Sequence, residues 1–154
     1  MSYFVDIQQA SEEIPPVSND VLRNWATLTI TPYREAAELT LRFVDTTEIT
    51  YLNRVYRKKN TATNVLAFPA TYPKDVELEY PLLGDVIICP SVLIEESKTL
   101  KTPLTAHWAH ITIHGILHLL GYDHIKEEDA VVMQAIEIQL LAKLNFDNPY
   151  REAN

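Results

Sequence analysis

Residues 104–124 read LTAHWAHITIHGILHLLGYDH, and the fold turns on how this stretch is arranged. All five histidines of the chain lie between positions 107 and 124. Placed on a helix at 100° per residue, His107, His110, His114 and His118 fall within a sector of roughly 80°. Trp108, Ala109, Ile111, Ile113, Ile116, Leu117, Leu119 and Leu120 fill most of the remaining circumference. A helix apolar nearly all round is a buried helix, and this one carries a single polar stripe made of imidazoles. Pro103 opens it and Gly121 closes it.

Within the stripe, His114 and His118 are four residues apart, roughly 6 Å at Cβ, so both rings can converge on one ion. Gly121 supplies the turn that a third ligand needs. The position after a helix commonly takes positive φ, which glycine does without strain, and the chain can then bring His124 back to the same ion. Of three glycines in the chain, two stand inside this motif, at 115 and 121. His110 and His107, one and two turns away, either line a cleft or make ordinary polar contacts at the helix start. Three neutral imidazoles leave the full charge on the ion and one position open, a catalytic rather than a structural style of site. Zn²⁺ is the expected ion, although nickel, copper and iron also accept imidazole. Such an ion acidifies water and polarises an oxygen at phosphorus or carbon.

Residues 114–124, HGILHLLGYDH, match the metalloprotease pattern H-E-x-x-H-x-x-G-x-x-H at every fixed position except the second, where Gly115 replaces the glutamate base. Without that base, peptide hydrolysis forfeits about the 10²–10⁴-fold that general acid–base catalysis contributes. Asp123 is its nearest substitute in sequence; it can equally accept a hydrogen bond from a ligating histidine or shape the turn. Phosphodiester chemistry relaxes the requirement, because a metal and an arginine can stabilise the charge that develops, and RNA carries its own 2′-OH as a candidate nucleophile. The one dense basic segment, NRVYRKKN at 53–60, holds Arg54, Arg57, Lys58 and Lys59, and Arg57 is the expected phosphate clamp. The alternative for this segment is a solvated helix end with cations near the negative end of its dipole.

Working outward, 154 residues fit one domain spanning 1–154. The hydrophobic share of 47% and charged share of 22% are ordinary for a globular chain. A formal net charge of −8 counts against a general nucleic-acid binder but allows a local basic patch. Neither a secretory leader nor a membrane-crossing apolar run is read, so a cytoplasmic protein without membrane partners is expected. Cys89 is the single cysteine, which rules out an internal disulfide or a thiolate cage. A short strand is read over SYFVDIQ, a helix from Ser18 or Asn19 to about Leu28, and a strand over Ala37–Asp45. Asp45 and Glu48 have capping-box spacing ahead of a helix through about Lys58. Short buried strands are read over Asn64–Pro69 and Gly84–Pro90, a loop over 69–81, and a helix over 91–100. A last amphipathic helix covers about Glu127 to Leu144, with Val131, Ile136, Leu140, Leu141 and Leu144 toward the core. The tail from about 146 is read as frayed. Strands early and helices late predict an α+β fold: a small mixed sheet packed on helices around the central histidine helix, metzincin-like.

Together with LNRVYRKKNTATNVLAFP (52–69) and LGDVIIC (83–89), the histidine block resembles the bacterial YbeY family of metal-dependent endoribonucleases, in the family's order along the whole chain. The resemblance implies a compact α+β fold, a zinc held by His114, His118 and His124, and a functional Arg57. It further implies cleavage of single-stranded RNA, maturation of small-subunit (16S) ribosomal RNA, ribosome quality control and possible ribosome-associated partners. Gly84-Asp85 fits the family pattern, and Asp85 is then a base, an orienting residue or a turn cap. Asn60, Ala62, Asn64 and Ala67 depart from it, standing where the family often has Asp, Pro, Asp and Ser. Two rivals stay open: a metzincin-like peptidase, and a non-catalytic assembly factor with a structural metal.

Overall fold

The structure is a computed structural model, described here for residues 2–71 and 81–151. Its elements are β1 (Ser2–Ala10), α1 (Asn19–Ile30), β2 (Ala36–Val44), α2 (Thr46–Arg57), β3 (Val65–Pro69), β4 (Leu82–Ile88), α3 (Pro90–Leu100), α4 (Leu104–Leu119) and α5 (Glu127–Lys143). The four strands form one sheet in the order β1-β2-β4-β3. β1 with β2 and β2 with β4 run parallel, and β3 is antiparallel to β4. This is the α+β fold with a mixed sheet that the sequence predicts. Most of the loop read over 69–81 lies outside the described residues.

Period-2 alternation decides what each sheet face covers. Ala37, Leu39, Leu41 and Phe43 of β2, with Val86 and Ile88 of β4, join the main core under α1, α4 and α5. The opposite face carries Val44, Leu66 and Ile87, which pack with Ile49 of α2 and Cys89 in a second, smaller cluster. α4 lies at the centre, against α1, α3, α5, β3 and β4. Its surroundings explain its composition: Trp108, Ile113, Ile116 and Leu117 are almost wholly buried, and Trp108 meets Phe43 edge to face at 5.2 Å.

Three local expectations need correcting. Asp45 stands at the N-cap of α2 without capping it; its Oδ1 accepts from Ser11 Oγ at 2.7 Å and from the Glu12 amide. Glu48 pairs with Arg42 at 2.8 Å instead of closing a capping box. On α5, Val131 is 62% exposed; the buried face is Met133, Glu137, Leu140 and Leu141, with Ile136 and Leu144 partly buried beside it.

β4 starts two residues earlier than its apolar run suggests, because Leu83 is an extra residue opposite the Glu38/Leu39 step of β2. Gly84 follows at φ +134°, and a Cβ there would lie 2.1 Å from the Phe68 carbonyl oxygen. No side chain fits without parting β3 from β4. Gly84→Ala is therefore expected to cost about 2–4 kcal/mol, read as a lower denaturant midpoint; an unchanged midpoint would refute it.

Candidate metal centre

α4 presents His114 and His118 one turn apart, and the turn after it returns His124. Three features shape that turn. Gly121 takes φ +104°, the Tyr122 amide donates back to the Leu117 carbonyl at 3.0 Å, and Asp123 Oδ1 accepts from the Ile125 amide at 2.6 Å. Asp123 is thus the side chain that holds the loop carrying His124, the local turn that Asx residues favour. His118 Nε2 lies 3.1 Å from His114 Nε2 and 3.1 Å from His124 Nδ1. The candidate ligand nitrogens all lie within 4.8 Å of one another.

The donor set suits a divalent ion. A tetrahedral zinc with Zn–N of about 2.0–2.1 Å places its nitrogens about 3.3–3.4 Å apart, close to the two spacings found. His114 turns Nδ1 toward the Glu137 carboxylate at 2.7 Å, so Nδ1 bears the hydrogen and Nε2 offers its lone pair to the cluster. Nitrogen lone pairs held face to face repel unless a proton or a cation lies among them. For His118, burial and then the neighbouring His114 and His124 charges push the ring's pKa down to about 4. Its neutral form is the one that ligates metal.

Behind the triad lies an acid that the sequence reading did not single out. Glu137 on α5 is wholly buried. Burial opposes its ionisation, but hydrogen bonds from His110, His114 and Tyr150 prevail and hold it at about 2. His110 Nε2 is 3.1 Å from Glu137 Oε1 and 3.1 Å from the Tyr150 hydroxyl, which itself donates to Glu137 Oε1. Burial first, then that carboxylate, raises the Tyr150 pKa. The sequence signal for Glu137 was its place on α5: four residues after Met133 and three before Leu140, on the face that packs against α4. Tyr150 had no such signal.

His107 and His110 make polar contacts with carboxylates of neighbouring helices. His107 is buried and pairs with Glu96 of α3 at 2.9 Å, and His110 belongs to the Glu137 cluster. On an apolar helix each imidazole must find a polar partner, and helices α3 and α5 supply carboxylates. Glu96 also receives Asn64 Nδ2 at 3.2 Å on both oxygens. Burial raises the Glu96 pKa, but these bonds outweigh it and lower the value overall. An aspartate at 64 would face that carboxylate with no hydrogen to give.

A cavity of about 290 Å³ opens over the triad, lined by Arg57, Asn64, His114, His118 and His124 among others. A wider one beside it, about 670 Å³, shares Arg57, His118 and His124 and adds Lys59 and Asp123. Arg57 and Lys59 are thus brought to the histidines. Arg54 and Lys58 are not: the Arg54 guanidinium sits 5.5 Å over the Tyr51 ring, and Lys58 takes the left-handed C-cap of α2. Asp85 is also elsewhere. It alternates with Val86, which faces α4, so it projects from the other side of the sheet, and it lines neither cavity. An active-site role for Asp85 does not fit that position.

Gly115 packs where α4 crosses the sheet. A Cβ there would come within 2.6 Å of Val86 Cγ1 and 3.3 Å of Val65 Cγ2. The place of the missing glutamate is a helix–sheet contact at the inner edge of the cavity over the triad.

Comparison with known proteins agrees with this architecture. A family model described as Endoribonuclease YbeY matches residues 5–145. A Legionella pneumophila (strain Corby) protein named Endoribonuclease YbeY is 55% identical over 150 residues, 97% of this chain and 95% of that protein. One of the same name from Cellvibrio japonicus (strain Ueda107) is 46% identical over 151 residues, 97% of this chain and 83% of its own length. The solution structure of a Thermotoga maritima protein shares the fold with a TM-score of 0.59 at 21% identity, over 95% of this chain and 99% of that one. Among the described residues, no helix is long and apolar enough to cross a membrane.

Proposed function

The chain belongs to the YbeY endoribonuclease family, and from that premise we propose that it is a zinc-dependent endoribonuclease that cuts single-stranded RNA during maturation of the small-subunit ribosomal RNA. The supporting observation is the juxtaposition in one cavity of three imidazoles with Arg57. His114, His118 and His124 would hold the ion. When bound, zinc supplies Lewis-acid polarisation of an oxygen at phosphorus. The chain's own groups do the rest. Arg57 pairs its planar fork with two phosphate oxygens and steadies the charge that builds on them. Lys59, at the mouth of the wider cavity, draws in the flanking phosphate. Asp123 acts by fixing the loop of His124. The nucleophile is water or the substrate's 2′-OH, and no side chain at position 115 is required as base. With a formal net charge of −8, attraction for RNA is confined to this basic mouth, which suits a selective enzyme more than a general binder. The setting that fits such a substrate is the cytoplasm, with the assembling ribosome as partner and the whole 1–154 chain as one working unit.

The experiment is cleavage of single-stranded RNA by protein of measured metal content, beside Arg57→Ala purified identically. The variant is expected to lose about 10²–10³-fold in kcat/KM while keeping its metal and its melting temperature, since Arg57 is an exposed side chain. A variant that cleaves at the parental rate would remove Arg57 from the reaction. Metal-loaded parental protein that leaves RNA intact would favour the assembly-factor alternative.

A further inference from the structure

We propose that Glu137, with Tyr150 and His110, is a positioning assembly for His114, so that the chain's last described residues form part of the metal centre. This rests on the reading of His114, His118 and His124 as metal ligands.

Glu137 stands on the apolar face of α5 among Met133, Leu140 and Leu141, with its side chain entirely out of solvent. A carboxylate in that place costs several kcal/mol unless it is fully paired, and an apolar residue of similar volume generally packs as well or better. Stability alone is therefore a poor account of it. Its two oxygens divide their tasks. Oε2 takes His114 Nδ1 at 2.7 Å. Oε1 takes the Tyr150 hydroxyl and His110 Nε2, the latter at 3.1 Å. With Oε1 held from two sides, Oε2 is fixed in the direction of His114. An acceptor on Nδ1 locks the tautomer that leaves Nε2 free, and Nε2 is the atom 3.1 Å from His118 Nε2. A carboxylate behind a ligating imidazole both orients the ring and raises its basicity toward the metal.

Tyr150 reaches this site from beyond the end of α5 by a defined path. Asn145 takes φ +67° and reverses the chain. The Phe146 amide donates to the Leu141 carbonyl at 2.9 Å, and the Phe146 ring packs edge to face on Trp25 at 6.4 Å. Asn148 Oδ1 then accepts from the Tyr150 amide at 2.8 Å. Tyr150 lines a pocket of about 190 Å³ together with His114, His124 and Glu137, so its ring borders the centre. The segment is a wall of the site.

The test measures the zinc dissociation constant of the full chain by chelator competition, with the His114 tautomer read by ¹⁵N NMR in the metal-free protein. Glu137→Gln keeps shape and an acceptor but removes the charge, and is expected to weaken zinc about 10–100-fold. Tyr150→Phe keeps the ring and the carboxylate, and is expected to weaken zinc by a smaller factor, about threefold to tenfold. Glu137→Leu removes the acceptor, and the His114 signals should leave the Nδ1–H tautomer. A merely structural role would move melting temperature without moving the tautomer or the zinc constant. Parental zinc affinity in both Glu137→Gln and Tyr150→Phe overturns the proposal, and if the Glu137 variants do not fold, Tyr150→Phe decides it alone. His114→Ala separates the two levels. Zinc lost there but kept in the Glu137 and Tyr150 variants defeats only this inference, whereas zinc kept at parental affinity in His114→Ala defeats the triad reading and this one with it.

Discussion

Gly115→Glu, the change that completes a zinc peptidase's H-E-x-x-H, should abolish folding rather than install a peptidase. The Cβ of any residue at 115 would come 2.6 Å from Val86 Cγ1 and 3.3 Å from two further valine methyls, those of Val65 and Val86. Val86 lies on β4, between β2 and β3, and is fully buried. It has no solvent side toward which to yield. Overpacking of this kind costs about 1–3 kcal/mol, and Gly115→Ala should already show it. Glutamate also carries a carboxylate in at the inner edge of the cavity over the triad, where Gly115 is among the lining residues. Taking that charge out of water costs roughly several kcal/mol more. The sum reaches the lower part of the roughly 5–15 kcal/mol that holds a whole domain together. Insoluble protein, or an unfolding midpoint displaced nearly to zero denaturant, is the expected outcome. A Gly115→Glu protein as stable as the parent would refute the packing explanation, and one that hydrolysed peptides would reopen the peptidase alternative.

That contact shows why part of the site was legible in sequence and part was not. Helical spacing and a glycine stop are local facts. They were enough to place His114, His118 and His124 on one side of one turn, and to make α4 the buried centre of a mixed α+β fold. What a residue meets across the fold is not local. Gly115 reads as a missing base in one dimension and as a steric necessity beside Val86 in three. His107 and His110 share the stripe of His114, yet carboxylates from α3 and α5 claim them, and nothing within α4 announces those partners. Asp85 follows a glycine in a block shared with the family. Whether it faces the histidines depends on the parity of β4, which the extra residue at Leu83 sets. Glu137 was the most recoverable omission. An acid on the inward stripe of an amphipathic helix, in a chain with a run of inward imidazoles, is a pairing that charge and periodicity together can suggest. Tyr150 depends on the reversal at Asn145 and the seat of Phe146 on Trp25, neither of which has a periodic signature.

Replacing His118 by alanine should have the largest effect on activity, and it should leave the metal-free fold intact. His118 Nε2 is the hub of the triad, at 3.1 Å from each of the other two ring nitrogens. Without it, His114 and His124 are two ligands on separate segments, and the set loses the three-nitrogen form that suits a catalytic zinc. Metal content by elemental analysis is expected to fall far below that of the parent after identical dialysis. RNA cleavage should fall with it by about 10³–10⁴-fold, the rate equivalent of the several kcal/mol that a Lewis acid supplies to a charged transition state. Stability moves differently. Burial and the two neighbouring imidazoles depress the His118 pKa in the metal-free chain, so below about pH 6.5 the ring costs stability that its removal restores, and its removal also relieves crowding of nitrogen on nitrogen. The metal-free melting temperature should stay level or rise, while the rise that zinc confers on the parent through binding to the folded state should vanish. Arg57→Ala gives the complementary pattern, with cleavage lost and the zinc-dependent rise retained. If His118→Ala keeps both its metal and its cleavage, the triad is not the metal centre. If it loses metal yet still cuts RNA at the parental rate, phosphodiester cleavage in this protein runs through Arg57 and the substrate's own hydroxyl without the ion.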